Sequence, residues 1–548
     1  MDTNKENLLN GPQSTVGLSI FLLIAFVVLF LAGAMYALSS PQLAIVSRIS
    51  STASLAISEH PDIIDGERLF ESAAAELYGM LDRYSRYVPA DYFSQVDEEF
   101  SGAYSGIGVS IFSIPEGLVV AGVNPRGPSA GAGILLGDII IKGDSISLAG
   151  KSTFEASLVL RGKAGENVTA TILRPKRVLL EKGRKAEFII DTLEIEITRG
   201  SVDLNHIPYC GVTSDKTIYL RVIDFESGIY NQFKDKLDSL LELYPNPSGI
   251  IVDVRGNPGG LLNEALDMVD LFLDEDILIL GRKGRSYWDR EEFYSDGSDV
   301  TNGIPLAIMI DKNSASAAEI FCGSLMYADR AILIGDTTFG KGLVQMYHRF
   351  ADGSASRLTV SRYYFVGDVF LNKIDNGPID SGSGIPPTIQ YEFKKTSPLI
   401  RQLGMSMLFH RFVGFYQNEL IEQSKNPVRT ETFVLAFESF AKSNDFSLQS
   451  DLLLKAQELY LRAQLYLNNP RAHEVMLDIF NIAEESTAPD FELESEAIIR
   501  KLTSLAYERR DGVGEAFLKF SLARDSDILA CEKILRETSA SDDITKVN

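Results

Sequence analysis

The chain has 548 residues, 45% hydrophobic and 23% charged, the proportions of a globular protein of several domains, which excludes large-scale disorder and a disulfide-stapled miniature. With 52 basic and 75 acidic residues the net charge is −23, a balance that repels phosphate backbones and argues against nucleic acid as a partner. The three cysteines, Cys210, Cys322 and Cys531, are far apart and the five histidines form no closely spaced pair, so no disulfide framework, catalytic metal or other cofactor is expected.

Residues 1–15 are a short tail before an apolar run, residues 16–38, VGLSIFLLIAFVVLFLAGAMYAL. At ~1.5 Å per residue this run exceeds a ~30 Å hydrocarbon core and predicts one membrane span. A cleaved signal peptide, with Ala32-Gly33-Ala34 as its cleavage site, is the competing reading; the length of the run and the single cation before it, Lys5, favour an uncleaved anchor. Residues 40–100 read as helical, with FESAAAELYGMLDRYSRYV at helical spacing until Pro89. Over 101–190, glycine-rich turns alternate with the β-branched runs GIGVSIF, GLVVAGV, GDIIIKG and NVTATIL, with one helical piece near Phe154–Leu160; this predicts a small β-rich domain. Residues 191–398 alternate strands (KTIYLRVI, GIIVDVRG, ILILGRK, PLAIMID, AILIGD, RLTVSRYYF) with amphipathic helices, which predicts a mainly parallel, layered sheet. Residues 399–548 lose the strands and read as amphipathic helices.

Three segments carry candidate chemistry. DVRGNPGG, residues 253–260, ends a buried strand, where ligands bind in such sheets and adjacent glycines allow close backbone approach; a plain tight turn is the alternative. NSASAAE, residues 313–319, places Ser316 before a helix. Ser316 and Glu319 fit an S-x-x-E capping box, and the same serine could be a nucleophile whose oxyanion is met by free amides of the helix start, Ala317 among them. In GDTTFGKGLVQ, residues 335–345, Lys341 stands between two glycines without the Ser or Thr that would complete a Walker A loop. A lysine can deprotonate a serine only when neutral, and burial favours the neutral form.

These segments, together with GAYSGIGV, AGAGILLGDIIIKGDSI, LRGKAGENVTATI and DGSASRLTVSRYYF in the same order, resemble the carboxyl-terminal processing proteases, the tail-specific serine peptidases of family S41. The resemblance covers roughly residues 66–390 and implies a multidomain α+β chain: membrane helix, PDZ domain, a ClpP/crotonase-like peptidase core and a helical C-terminal region. It implies Ser316 as nucleophile, Lys341 as general base, Gln345 as the residue orienting the lysine, and the Gly260 amide as second oxyanion donor beside Ala317. Residues 101–190 resemble a PDZ domain, with Gly106, Ile107, Gly108 and Val109 as the loop for a substrate's terminal carboxylate and Arg161 as the position coupling that domain to the core.

The expected function is a membrane-anchored serine endopeptidase of the C-terminal processing type. It is single-pass in the inner membrane, faces the periplasm, and takes protein substrates with apolar free C-termini. An adaptor or activator protein and a homo-oligomer are left open as partners. An HtrA-type protease would place its PDZ domain after the serine, and no GNSGG is present. A catalytically inactive peptide-binding scaffold in the periplasm is the alternative from a different class.

Overall fold

The computed structural model describes residues 26, 41–90, 92–93, 103–176, 188–286, 288–371, 384–425, 430–466, 470–486 and 489–540. The expected anchor over 16–38 lies outside these residues except for Phe26, and among the described residues no helix is long and apolar enough to cross a membrane. The chain forms two compact units, one holding the described residues up to Ala90 with Tyr347–Leu358, the other holding the rest.

In the first unit, helices span Pro41–Glu59 and Gly66–Gly79, the second started by Asp65, whose carboxylate accepts the N–H groups of Glu67 (3.0 Å) and Arg68 (3.3 Å). The helical pattern expected up to Pro89 stops at Gly79. Arg86–Val88 is instead a strand, paired antiparallel as Arg86↔Arg357, Tyr87↔Ser356 and Val88↔Ala355. Aromatic and β-branched residues such as Tyr87 and Val88 suit a paired, half-buried strand, and tertiary pairing overrides the local helical spacing.

In the second unit, a β-rich domain comes first. Its sheet runs Val109–Ile114, Gly117–Val123, Ile139–Gly143, Asn167–Pro175, Ile190–Thr198, all antiparallel, so among the described residues Val109–Ile114 is an open edge. The expected boundary at residue 190 falls at the start of this last strand, which pairs with Asn167–Pro175 along its whole length. The helix Thr153–Leu160 opens on a reciprocal Ser152–Glu155 cap. Its last carbonyls are satisfied by buried Arg199, whose guanidinium donates to Leu160 O (3.1 Å), Val159 O (3.1 Å) and Asn167 O (3.0 Å). A two-stranded ladder joins Ala103–Gly106 to Gly200–Asp203.

The second sheet follows the order Tyr209–Val212, Thr217–Arg221, Gly249–Asp253, Leu306–Ile310, Ile332–Gly335, Ile389–Gln390; its first pair is antiparallel and the rest parallel. Helices Ile229–Leu243, Leu262–Asp270 and Ala317–Tyr327 cover one face through Phe233, Met268 and Phe321. The other face is covered by the helix Ser526–Ala540, which sets Ile528, Cys531 and Leu535 against Tyr219, Ile251, Ala307 and Met309. Strands buried on both faces explain the continuous apolar runs. Two segments expected in this sheet, Leu278–Lys283 and Ala355–Phe365, pair instead with each other in a separate antiparallel sheet that also holds Arg290–Tyr294. Helical spacing around a strand therefore did not decide which sheet it joins.

Helices Leu408–Lys425, Thr430–Ser443 and Ser495–Asp511 enclose a core rich in Phe409, Phe412 and Phe437, and this helical part docks on the β-rich domain: Met407 packs against Ile114, Val119 and Ile139.

A Cβ on Gly249 would lie 2.6 Å from Leu535, so the terminal helix rests directly on the central strand. Leu535→Ala is expected to destabilise the folded chain by about 2–5 kcal/mol. The shift of the urea midpoint measures it, and an unchanged midpoint would show the helix to be a dispensable cover.

Candidate active site

Three loops meet at the C-terminal end of the parallel strands. They follow Gly249–Asp253, Leu306–Ile310 and Ile332–Gly335, and they contain the three segments singled out above. Asp253 anchors the first. It is buried and ringed by Tyr219 OH (2.8 Å), Arg221 Nη1 (2.7 Å) and Arg255 Nη2 (2.7 Å). Burial alone would raise its carboxyl, but Arg221 and Arg255 outweigh burial and hold it below the ordinary value.

Polar staples bind the first loop to the second. Gly256 N–H donates to Asp311 Oδ1 (2.8 Å), Ser314 Oγ donates to Val254 O (2.8 Å), and Ala315 N–H donates to Asn257 O (2.9 Å). Fully buried Asn257 accepts the Gly259 N–H (2.8 Å) and donates to Val222 O (3.1 Å). The result is that Gly259 lies against the serine. A Cβ there would sit 2.7 Å from Ser316 Cβ and 2.8 Å from Ala317 N, and its φ of +99° disfavours an L side chain. Gly260 is pressed as closely on Phe225: an added Cβ would be 2.4 Å from the Phe225 carbonyl carbon. Phe225 flanks this glycine on both sides, its N–H donating to Gly259 O (3.0 Å) and its carbonyl accepting the Leu261 N–H (2.7 Å). Gly260 and Ala317, the two expected oxyanion donors, are therefore carried by segments in direct contact.

Ser316 precedes the helix Ala317–Tyr327 with φ 56° and ψ −117°, a backbone conformation that a non-glycine residue adopts only under constraint. Strained serines at a strand-to-helix turn are a known way of presenting a hydroxyl. The constraint here is Glu319. Its fully buried carboxylate accepts the Ser316 N–H (2.9 Å), the Thr338 hydroxyl (2.6 Å), the Gly340 N–H (2.7 Å) and the Lys341 N–H (2.8 Å). Burial raises the Glu319 carboxyl above its ordinary value and these four bonds oppose the rise. All four partners donate, so the ionised carboxylate is the form that satisfies them. Thr338 is free to donate because its own oxygen accepts the Ile385 N–H (2.7 Å). On the other side, the hydroxyl of buried Tyr363 donates to the Lys341 carbonyl and lies 3.4 Å from the Ser316 carbonyl.

The backbones of Ser316 and Lys341 are thus held together twice. Gln345 lies farther along, on Leu343–Arg349, and its amide donates to Thr359 Oγ1 (3.3 Å). Glu319, Tyr363, Asn257 and Phe225 escaped sequence reasoning. Glu319 alone left a trace, as the fourth position of a capping box.

In the β-rich domain, Gly106 pairs with Gly200, while the carbonyls of Ile107 and Gly108 accept the N–H groups of Ser129 (2.9 Å) and Asn124 (3.0 Å). A trans peptide directs its N–H opposite its C=O, so the Gly108 and Val109 amides face away from these anchors. Arg161 ends the helix Thr153–Leu160 through its own N–H, which donates to Ser157 O (2.8 Å).

Comparison with known proteins gives two family matches: peptidase family S41 over residues 216–391 and the PDZ domain over residues 105–204. A carboxy-terminal-processing protease of Bartonella bacilliformis is 31% identical over 61% of this chain and 72% of its own length. The carboxy-terminal processing protease CtpB of Bacillus subtilis is 28% identical over 65% of this chain and 70% of its own length. Among solved structures, a photosystem II D1 C-terminal processing protease matches 61% of this chain and 85% of its own at 21% identity, with a TM-score of 0.34.

Gly259→Ala tests the contact between glycine turn and serine. A loss of kcat of about 10²-fold or more is expected, with a lowered unfolding midpoint in a protein that still unfolds cooperatively. Wild-type turnover in this variant would show that the two loops are not in the close register described.

Proposed function

The chain belongs to peptidase family S41, the carboxy-terminal processing proteases, and from that premise we propose a membrane-anchored endopeptidase that cleaves with a Ser316–Lys341 dyad and captures substrate C-termini in its PDZ domain. The observation that carries the dyad is the Glu319 carboxylate, which accepts the backbone N–H groups of both Ser316 and Lys341. In this reading neutral Lys341 takes the proton of the Ser316 hydroxyl as Oγ attacks the scissile carbonyl. The amides of Gly260 and Ala317 receive the oxyanion. The lysine ammonium then gives its proton to the leaving amine, and water, deprotonated by the same lysine, hydrolyses the acyl-enzyme. Gln345 would orient the lysine in the substrate-bound state.

Support for tail capture is the open edge of Val109–Ile114 beside the loop Gly106–Val109, where an extended peptide can add as a strand with its carboxylate on the loop amides. Ile107 of that loop lies in one apolar cluster with Leu160 and Val159, which suits an apolar last residue. The apolar run over 16–38 supports a single-pass anchor in the inner membrane, with the catalytic part in the periplasm.

Two comparisons test this reading. Ser316→Ala should abolish cleavage of a peptide substrate, by more than about 10³-fold, with the fold intact. Lys341→Arg should be nearly as inactive as Lys341→Ala, because a guanidinium keeps its proton and cannot serve as base. An active Lys341→Arg enzyme would make the lysine an electrostatic element only, wild-type cleavage in Ser316→Ala would show that Ser316 is not the nucleophile, and absence of cleavage by the wild type itself would favour the inactive-scaffold alternative.

For tail capture, a peptide ending in a free apolar residue should bind on the order of tenfold more tightly than its amidated twin, since amidation removes the charge that strengthens the loop hydrogen bonds. Calorimetric titration of both peptides reads this directly. Equal affinities would leave the β-rich domain without a tail-binding role.

A further inference from the structure

His206 lies on the segment that connects the strand Gly200–Asp203 to the strand Tyr209–Val212. It is 1% exposed, and its Nδ1 lies 2.5 Å from Asp224 Oδ1. Among the described residues its Nε2 is buried with no hydrogen-bond partner, so the Asp224 contact is the ring's one polar attachment. The segment is fastened at its backbone too. Gln232, on the helix Ile229–Leu243, donates to Leu204 O (2.6 Å) and accepts the His206 N–H (3.2 Å), and the Ile223 N–H donates to His206 O (3.1 Å).

Each end of this attachment reaches a site described above. On one side, Gly200–Asp203 is laddered to Ala103–Gly106, with Gly106↔Gly200 as the pair next to the tail-binding loop. On the other side, Asp224 directly precedes Phe225, whose backbone brackets Gly260. The Phe225 ring also packs against Phe321, 5.8 Å between centroids, on the helix that begins after Ser316. Bonded segments therefore run without interruption from the loop Gly106–Val109 to the expected oxyanion amide, and the His206–Asp224 hydrogen bond is the side-chain step in that series.

We propose that the His206–Asp224 pair is the joint through which occupancy of the tail-binding loop sets the position of the Gly260 amide. The two residues touch no reacting atom and act as positioning residues. The inference rests on the reading above of Ser316 as nucleophile, Gly260 as oxyanion donor and Gly106–Val109 as the carboxylate loop. It differs from a mere staple in one consequence. A ligand that fills the loop and one that fills the oxyanion site must bind cooperatively, and each must raise the other's affinity by the same factor.

A peptide aldehyde adds the Ser316 hydroxyl across its C=O to give a hemiacetal whose oxygen occupies the oxyanion site, so its Ki reports on Gly260. The experiment measures that Ki in the full chain, with and without a short peptide ending in a free valine carboxylate. In the wild type the tail peptide should tighten aldehyde binding on the order of tenfold. In His206→Ala and in Asp224→Ala the factor should fall to about one, and the double variant should be no worse than either single one. His206→Asn keeps a donor nitrogen where Nδ1 stands and should restore the coupling. Tail-peptide affinity measured without aldehyde should stay at its wild-type value in all four variants.

Absence of coupling in the wild type, undiminished coupling in His206→Ala, or loss of coupling in His206→Asn equal to that in His206→Ala would each overturn the joint. Two other outcomes strike the underlying reading, and the joint with it: aldehyde affinity unchanged by Ser316→Ala, or no binding of the tail peptide to the wild type.

Discussion

One buried carboxylate organises the candidate catalytic centre. Glu319 accepts four hydrogen bonds from donors on two loops that lie far apart in sequence, and among them are the amides of the serine and of the lysine. Leaving such a group unpaired in the interior costs several kcal/mol, so the loops are not independent: once the helix after Ser316 forms and buries Glu319, the lysine loop has to close on it. That closure fixes the unusual backbone of Ser316 and brings Lys341 to it, with Tyr363 bridging the two carbonyls from the other side. A cap, in this centre, is also a clamp.

In the proposed mechanism the glycine turn meets the complementary need for backbone N–H groups where charge would develop. Gly259 touches Ser316 and Ala317, and Gly260 touches Phe225, at distances that leave no room for a Cβ on either. Asp253 and Asn257 hold this turn from beneath, the first through two guanidiniums and the second through its side-chain amide, which donates to Val222 O just past the strand Thr217–Arg221 and accepts the Gly259 N–H within the turn. In the proposed mechanism these donors are in position before the tetrahedral oxyanion forms, which is the condition under which such donors stabilise it most.

How much of this was legible in the sequence differs between levels. The strand Gly249–Asp253, the helix after Ser316 and the small β domain followed from periodicity and from glycine placement, because each is a local pattern. The order of motifs then pointed to Ser316 and Lys341. Glu319 was readable only as a helix-capping residue, since its bonds to Gly340 and Lys341 depend on a loop more than a helix away. Leu278–Lys283 and Ala355–Phe365 read as strands from their sequence, but their antiparallel pairing outside the parallel sheet does not, because a strand's own residues do not name its neighbour. The cover supplied by Ser526–Ala540 was signalled in one respect: strands apolar on both faces, such as GIIVD, demand a second layer, and the helical tail was the part of the chain without an assignment.

The central claim is that the Glu319 carboxylate makes Ser316 reactive by holding it with Lys341. The rate at which a fluorophosphonate labels Ser316 measures that reactivity without any substrate tail, so it is independent of the PDZ domain. Glu319→Gln keeps the side chain's volume but turns an amide N–H₂ toward backbone donors. The account predicts labelling slowed by about 10²-fold or more, in a protein that still unfolds cooperatively. Labelling of Glu319→Gln at the wild-type rate would contradict it.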